Sequence, residues 1–398
     1  MITGKDIVLV SSIDWGYLWQ GPQEIALRLA RAGNRVLYVE NTGVRTPAWG
    51  DARRVADRLR GWSRNLWRGP REVAPNVFVH SPLVLPPFGP RWQTELNRRL
   101  FVARIRQVAR DLLMRNVQLW TFLPTDTVLS LMRAFAGNLE GRVYYCVADF
   151  AQVISDRARL DRSERAIVGD SDVVFTNCQA LADRFAPCNP NVHVMPFGVD
   201  LAAFPLLDAT TPGPRPLADH KRPIIGYVGG LHRHLAIDLL IGLARARPDW
   251  TFVFVGSVTT DLGALPSLPN VVMPGQVAHA QLASFMRDFD VCLIPYLCTA
   301  YTETVMPTKL NEYLAMGKPV VSSELPALLT TGNFRQVVIT APATVPGFER
   351  AIAGALAAPA TIASVQGRRA VAERAEWSNR LEEMTTLLQA GQKTRAAR

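Results

Sequence analysis

The sequence predicts an α/β protein of two doubly wound, Rossmann-like domains facing an interdomain cleft. Three observations carry that expectation. Short apolar, β-rich runs alternate with helical patterns along most of the chain. The alternation comes as two successive series, with a stretch dense in proline and turn residues between them. The 398 residues are also long for one hydrophobic core and comfortable for two. Strands that alternate with helices build parallel sheets through right-handed crossovers, and such sheets bind ligands beyond the C-terminal ends of their strands.

In the first series the strand-like runs are DIVLVSS (6–12), RVLYVE (35–40), NVFVHSP (76–82), VQLWTF (117–122), RVYYCVAD (142–149), VVFTNC (173–178) and NVHVMPFG (191–198). The helical stretch PQEIALRLARAG follows the first of them, with Ile25, Leu29 and Ala32 at helical spacing. The segment GVDLAAFPLLDATTPGPRPLADHKRP then reads as a linker. The second series is RPIIGYVGG (222–230), TFVFVGS (251–257), NVVMPG (270–275), VCLIPY (291–296), KPVVSS (318–323) and QVVIT (336–340), with helices such as AIDLLIGLARA and HAQLASFMRDF between them. The expected division is 1–200 for the first domain, 201–221 for the linker and 222–398 for the second, with room for the C-terminal helix to pack back on the first domain.

A composition of 48% hydrophobic and 20% charged residues is that of a globular protein, and a net charge of +10 favours an anionic partner. The five cysteines, Cys146, Cys178, Cys188, Cys292 and Cys298, show neither C-x-x-C nor metal-ligand spacing, which fits free thiols in a reducing compartment. The start MITGKDIVLVSS runs directly into a strand pattern without signal-peptide architecture, and no apolar run approaches the ~20 residues of a membrane span. A cytoplasmic protein is expected, free or peripheral on the inner face of the cytoplasmic membrane.

The absence of G-x-G-x-x-G and of a P-loop argues against a dehydrogenase or a P-loop kinase. The informative stretch is MPTKLNEYLAMGKPVV, Met306 to Val321, a short helix feeding a buried strand. Lys309 stands in its first turn, where the helix dipole favours anions, and Glu312 stands three residues on. Leu310, Tyr313 and Leu314 form the core stripe. One reading is a surface ion pair between Lys309 and Glu312. The other is an anion that docks where the helix begins, met by Lys309, with Glu312 accepting hydrogen bonds from ribose hydroxyls; phosphate plus ribose means a nucleotide. Similarly, Arg233 in GGLHRH follows a strand and two glycines, Gly229 and Gly230, so the loop is either a solvated turn or a phosphate cradle.

At these residues the second half resembles the donor domain of GT-B glycosyltransferases, in the large retaining group called glycosyltransferase family 4. The resemblance runs through IIGYVGG, DWTFVFVGS, NVVMPGQV, DVCLIPY and PTKLNEYLAMGKPVV. In the first half, SERAIVGDSDVVFTNCQAL and NVHVMPFGVDLAAF agree more loosely, and 43–116 lies outside the resemblance. The family's ribose-binding glutamate falls on Glu312. Its donor-sugar glutamate, eight positions earlier, is here Thr304, with Glu303 one place off. The family's Arg and Lys after the first donor-domain strand would fall on Gly230 and Leu235 and are absent, whereas Asp238 matches. A similar branch of bacterial cell-surface polysaccharide transferases shares the P-x-K-x-x-E-Y-L-A-x-G-K-P-V-V core and lacks the first glutamate.

The resemblance implies a nucleotide-diphosphate sugar as donor substrate, no cofactor and no metal, and a saccharide or polyprenyl-linked saccharide as acceptor. The donor pocket is expected from Gly229, Gly230, Gly275, Thr304, Pro307, Thr308, Lys309 and Glu312. On the acceptor side, SSIDWGYLWQGPQE offers Trp15, Gly16, Gln20 and Gly21. Asp149, at the end of RVYYCVAD, would either orient an acceptor hydroxyl or cap a helix. Lys309, Arg233 and Asp149 are the catalytic candidates, the two cations stabilising the leaving diphosphate.

Residues 45–71 stand apart. Val55, Leu59, Trp62 and Leu66 fall on one helical stripe among Arg53, Arg54, Arg58, Arg60 and Arg64. The pattern suits an anionic membrane surface or an ordinary packed helix, and no nucleic-acid recognition motif accompanies it. Two rival functions stay open: a sugar-nucleotide 2-epimerase of the same fold, and a saccharide-binding or scaffold protein without catalysis.

Overall fold

A computed structural model of the chain describes residues 1–16, 18–40, 69–82, 91–152, 156–207, 211–330 and 334–396. The basic stripe expected within 45–71 falls almost entirely on residues 41–68 and lies outside the described residues. Two units result: Met1–Met195 with Leu381–Arg398, and Pro196–Arg380.

The first unit is built on one sheet. Its strands are β1 (Asp6–Val10), β2 (Arg35–Val39), β3 (Arg71–Ala74), β4 (Val77–His80), β5 (Val117–Thr121), β6 (Leu139–Cys146), β7 (Val173–Thr176) and β8 (Val192–Val194), in the order β3-β4-β2-β1-β5-β6-β7-β8. All neighbours are parallel except β3 and β4. That hairpin was not legible as a strand pair. Arg71 and Glu72 are exposed, so β3 carries no apolar run, and its turn rests on Asn76 at φ 64°. The central strands read clearly because helices cover both faces: Ile7, Val8, Leu9 and Val10 are all buried.

The second unit is a six-stranded parallel sheet of β9 (Ile224–Val228), β10 (Thr251–Val255), β11 (Val271–Gly275), β12 (Val291–Ile294), β13 (Val320–Ser323) and β14 (Val338–Ala341). The order is β11-β10-β9-β12-β13-β14. Each unit is therefore doubly wound. Apart from the β3–β4 hairpin, chain order runs outward in both directions from a central strand, and the reversal falls between β1 and β5 in one sheet and between β9 and β12 in the other.

The helical pattern HAQLASFMRDF shortens to a single turn at His279–Gln281 and a helix over Leu282–Met286. Lys318 ends it by donating from Nζ to the carbonyls of Arg287 and Phe289, at 2.6 and 3.0 Å. Much of the stretch expected as a linker belongs to the second unit: Leu217 is buried, and Arg215 pairs with the buried Asp288 at 2.5 Å. The last helix, Trp377–Ala396, enters the first unit at Leu381, with Leu381, Met384 and Leu388 buried and Gln392 donating to the carbonyl of Glu140. Among the described residues no helix is long and apolar enough to cross a membrane.

Candidate functional site

In the second unit Gly229, Gly230 and Lys309 come together where β9 and β12 part. The chain leaves β9 through Gly229 and Gly230, and Gly229 has φ 125°, a conformation that strains any residue with a Cβ. Space demands glycine there as well. A Cβ at Gly229 would lie 2.9 Å from Lys309 Cε, and a Cβ at Gly256 would lie 2.0 Å from the carbonyl oxygen of Gly229. Gly256 in turn donates its N–H to Gly275 O at 2.9 Å. These close approaches line up the ends of β9, β10 and β11 and bring Lys309 directly against the first of them.

Lys309 opens the helix Lys309–Ala315, behind the buried Pro307 and the exposed Thr308. Leu310, Tyr313 and Leu314 are buried, as the stripe predicts, and Tyr313 Oη accepts the backbone N–H of Val228 at 2.9 Å. Lys309 itself is only 8% exposed. Its ammonium donates to Tyr296 Oη at 2.8 Å and to Tyr227 Oη at 3.2 Å, and it lies over both rings, 4.6 Å from the Tyr227 centroid and 5.0 Å from that of Tyr296. Tyr227 passes the hydrogen bond on to Gly230 O at 3.0 Å. Burial pulls the Lys309 pKa down, but the two tyrosines outweigh it and the net shift is upward, so the group stays cationic. Burial likewise raises the Tyr227 hydroxyl, which stays protonated.

The surface ion pair weighed as the alternative is not what the structure holds. Glu312 faces His279, Oε1 to Nε2 at 3.4 Å, while Lys309 turns to the tyrosines. Among the described residues no ion pair involves Lys309. A buried ammonium normally needs an opposite charge, and two phenols supply hydrogen bonds but no such charge. An ammonium has three N–H donors, of which the tyrosines take two. The arrangement can therefore receive an anion with one directed donor and one unneutralised positive charge.

The loop bearing Arg233 is clipped to the segment after β12. Ala236 N–H donates to Pro295 O and Leu297 N–H to His234 O, each at 2.9 Å. Rings reinforce the clip: His232 meets Tyr296 edge-on at 5.6 Å, and His234 stacks on Tyr301 at 4.3 Å. The Arg233 side chain is exposed, with Nε 3.4 Å from His234 Nε2. Thr304 is half-buried and donates to Tyr301 O at 3.3 Å. Sequence reasoning missed Tyr227, Tyr296, Tyr301 and His279. The only signal for Tyr227 and Tyr296 was their place late in two strand-like runs, and Tyr301 had none.

The acceptor-side candidates of the first unit surround the end of β1. Trp15 N–H donates to Glu40 Oε1 at 2.8 Å, and the ring packs edge-on against Tyr38 and Trp19, at 5.0 and 5.7 Å. Gly16 is exposed with open space at its Cβ position, Gln20 N–H donates to Gln23 Oε1 at 3.1 Å, and the buried Gly21 begins the helix Gly21–Arg31. Asp149 caps the turn Phe150–Gln152 and is ion-paired: it accepts from Ala151 N–H and Gln152 Nε2, each at 3.2 Å, and from Arg184 at 2.8 Å. Burial raises its pKa, but Arg184 and these donors outweigh that and hold it below the ordinary carboxylate value. Such a carboxylate can orient a hydroxyl but is a weak proton acceptor. Arg184 also reaches Glu164 at 3.3 Å, and Tyr144 Oη donates to Glu164 at 2.6 Å, a buried network with no sequence signature.

Residues 222–358 match the family described as Glycosyl transferases group 1. A Bacillus subtilis protein described as a teichuronic acid biosynthesis glycosyltransferase is 32% identical over 226 residues, which are 52% of this chain and 56% of that protein. The chain thus spans about half the length of this curated relative. Among solved structures, a sucrose-phosphate synthase from Thermosynechococcus elongatus superposes with a TM-score of 0.71 at 17% identity, covering 99% of this chain and 100% of that one. HepE of Anabaena, solved in complex with UDP, superposes with a TM-score of 0.65 at 14% identity, covering 97% and 100%. The fold is that of the GT-B proteins.

Proposed function

We propose that this chain, whose residues 222–358 match glycosyl transferases group 1, is a glycosyltransferase. It moves a hexose-type sugar from a nucleoside diphosphate to a hydroxyl of a saccharide or polyprenyl-linked saccharide, in the assembly of a cell-surface polysaccharide. The observation that carries this reading is the Lys309 ammonium, buried between Tyr227 and Tyr296 against Gly229, at the point where the sheet order reverses. The description of the Bacillus subtilis relative supports the polysaccharide setting.

The chemistry follows from charge. As the bond between the anomeric carbon and the diphosphate oxygen breaks, negative charge grows on that oxygen. A cation already fixed by two hydroxyls needs no reorganisation to meet it. Lys309 stabilises the leaving diphosphate, Arg233 adds an exposed second cation, and the backbone at Gly229 and Gly230 lets phosphate oxygens come close. Glu312 accepts from the ribose hydroxyls, Thr304 lies on the donor-sugar side, and the ion-paired Asp149 orients the acceptor hydroxyl. The transfer retains the anomeric configuration and draws its charge stabilisation from these cations. Residues 45–71 hold the protein at an anionic membrane surface, where a polyprenyl-linked acceptor resides.

The test is a panel of UDP-, GDP-, ADP- and dTDP-sugars assayed for release of the nucleoside diphosphate, with and without saccharide acceptors. Release by the parent and its loss in Lys309→Met is the expected result. A product that keeps its nucleotide and changes only the sugar's configuration would point to epimerisation. No turnover or binding with any donor would end the reading.

A further inference from the structure

Glu312 has one side-chain partner among the described residues, and it comes from elsewhere in the sheet. His279 stands just past the end of β11 and places Nε2 3.4 Å from Glu312 Oε1. Its ring is fixed from behind. Phe204 meets it edge-on, centroids 5.4 Å apart and planes at 87°, and Phe204 is buried. Arg369 then ties the two supports together, donating from Nη1 to Phe204 O at 2.7 Å and to Ala315 O, at the end of the Glu312 helix, at 2.6 Å. The pair is neither surface nor core: the side chains are 33% exposed for His279 and 18% for Glu312.

We infer that His279 is a positioning residue, which fixes the Glu312 carboxylate so that its other oxygen faces a vicinal diol; this rests on the reading of Glu312 as the ribose ligand. A carboxylate on a helix can rotate about three bonds, and a diol is held well only by an acceptor of fixed orientation. The His279 N–H occupies Oε1 and leaves Oε2 to accept from the sugar hydroxyls. The edge contact with Phe204 stops the imidazole from rotating away. At 3.4 Å and partial exposure the bond is an ordinary one, so its loss should cost about three- to tenfold in affinity for the ribose-bearing ligand. It should cost nothing for a ligand without the diol.

The experiment measures calorimetric affinities of UDP, GDP and ADP, takes the tightest binder, and compares it with its 2′-deoxy counterpart. Four proteins are used: parent, Glu312→Ala, His279→Phe and His279→Gln. Phenylalanine keeps the ring on Phe204 and deletes the donor, while glutamine keeps a donor and is the second variant should the first not fold. The expected result has three parts. Glu312→Ala loses the preference for ribose. His279→Phe weakens ribonucleotide binding about three- to tenfold and leaves deoxynucleotide binding unchanged. His279→Gln regains part of the preference. Loss of the preference in Glu312→Ala but not in His279→Phe would overturn the role of His279 and leave that of Glu312 standing. An unchanged preference in Glu312→Ala, or none in the parent, would remove the ribose reading and this inference with it. An equal loss for both nucleotides in His279→Phe would mark the histidine as merely structural and overturn the inference.

Discussion

Lys309→Met should leave the empty protein about as stable as the parent and cut sugar transfer about a thousandfold. Both halves follow from where the ammonium lies. In the empty protein it makes hydrogen bonds to Tyr227 and Tyr296 and is only 8% exposed. Methionine matches the length of the stem without the charge. It forfeits two hydrogen bonds of about 0.5–1.5 kcal/mol each. It also removes a charge whose separation from water costs several kcal/mol before any compensation. The two nearly cancel, and at about 2–4 °C per kcal/mol for a unit the size of Pro196–Arg380 the melting temperature should move by a few degrees at most. The loaded protein differs. A phosphate charge about 4 Å from the ammonium, at an effective dielectric near 20, is worth about 4 kcal/mol. If that attraction is realised as the leaving oxygen gains charge, its loss divides the rate by about a thousand. Initial rates of nucleoside diphosphate release, calorimetric donor affinity and a ligand-free melt measure all three quantities. A variant that keeps most of its turnover would refute the leaving-group role. So would one that loses several kcal/mol of ligand-free stability while catalysing normally, which is what a purely structural lysine would do.

Other expectations follow from the same geometry. Tyr296→Phe removes the shorter of the two ammonium contacts and should lower kcat about three- to tenfold with a smaller change in donor affinity; equal loss in both would mean that Tyr296 shapes the pocket rather than the charge. Gly229→Ala forces a Cβ into a φ of 125° and to 2.9 Å from Lys309 Cε, so it should cost about 1–3 kcal/mol in a denaturant melt and abolish donor binding. A normal melt with normal binding would contradict the close approach. His80 supplies a pH test of the first unit. Burial, helped by the charge of Arg104, lowers its pKa from 6.5 to about 4, so the folded state holds it neutral. The stability this contributes is complete above pH 6.5 and is lost as the pH falls towards 4. Melting temperatures of the parent should decline across that window, and His80→Phe should flatten the decline; identical slopes would remove the role.

Both sheets were legible because parallel strands buried on two faces leave continuous apolar runs, as Thr251–Val255 does with every residue buried. The crossover helices were legible by period, and the stripe Leu310, Tyr313, Leu314 turned inward as its spacing required. The direction taken by Lys309 was not legible. Spacing along the helix offered Glu312, three residues on, as its natural neighbour. Side chains on a helix lean towards its N-terminus, however, so one in the first turn reaches past the helix start and not along it. That lean carries Lys309 to Tyr227 and Tyr296, 82 and 13 residues away, which no local pattern connects. The same lean leaves Glu312 to His279, 33 residues back and on the far side of β12 in chain order. Local rules thus left two readings of these residues open, and the direction of the Lys309 side chain sets aside the ion pair. The pairing matters because a lysine beside a glutamate is neutralised, and a lysine between two phenols is not. Only the second arrangement keeps the full positive charge that the proposed diphosphate site requires, and it is the fold, by separating two residues that the sequence sets side by side, that turns Lys309 to two phenols and Glu312 to His279.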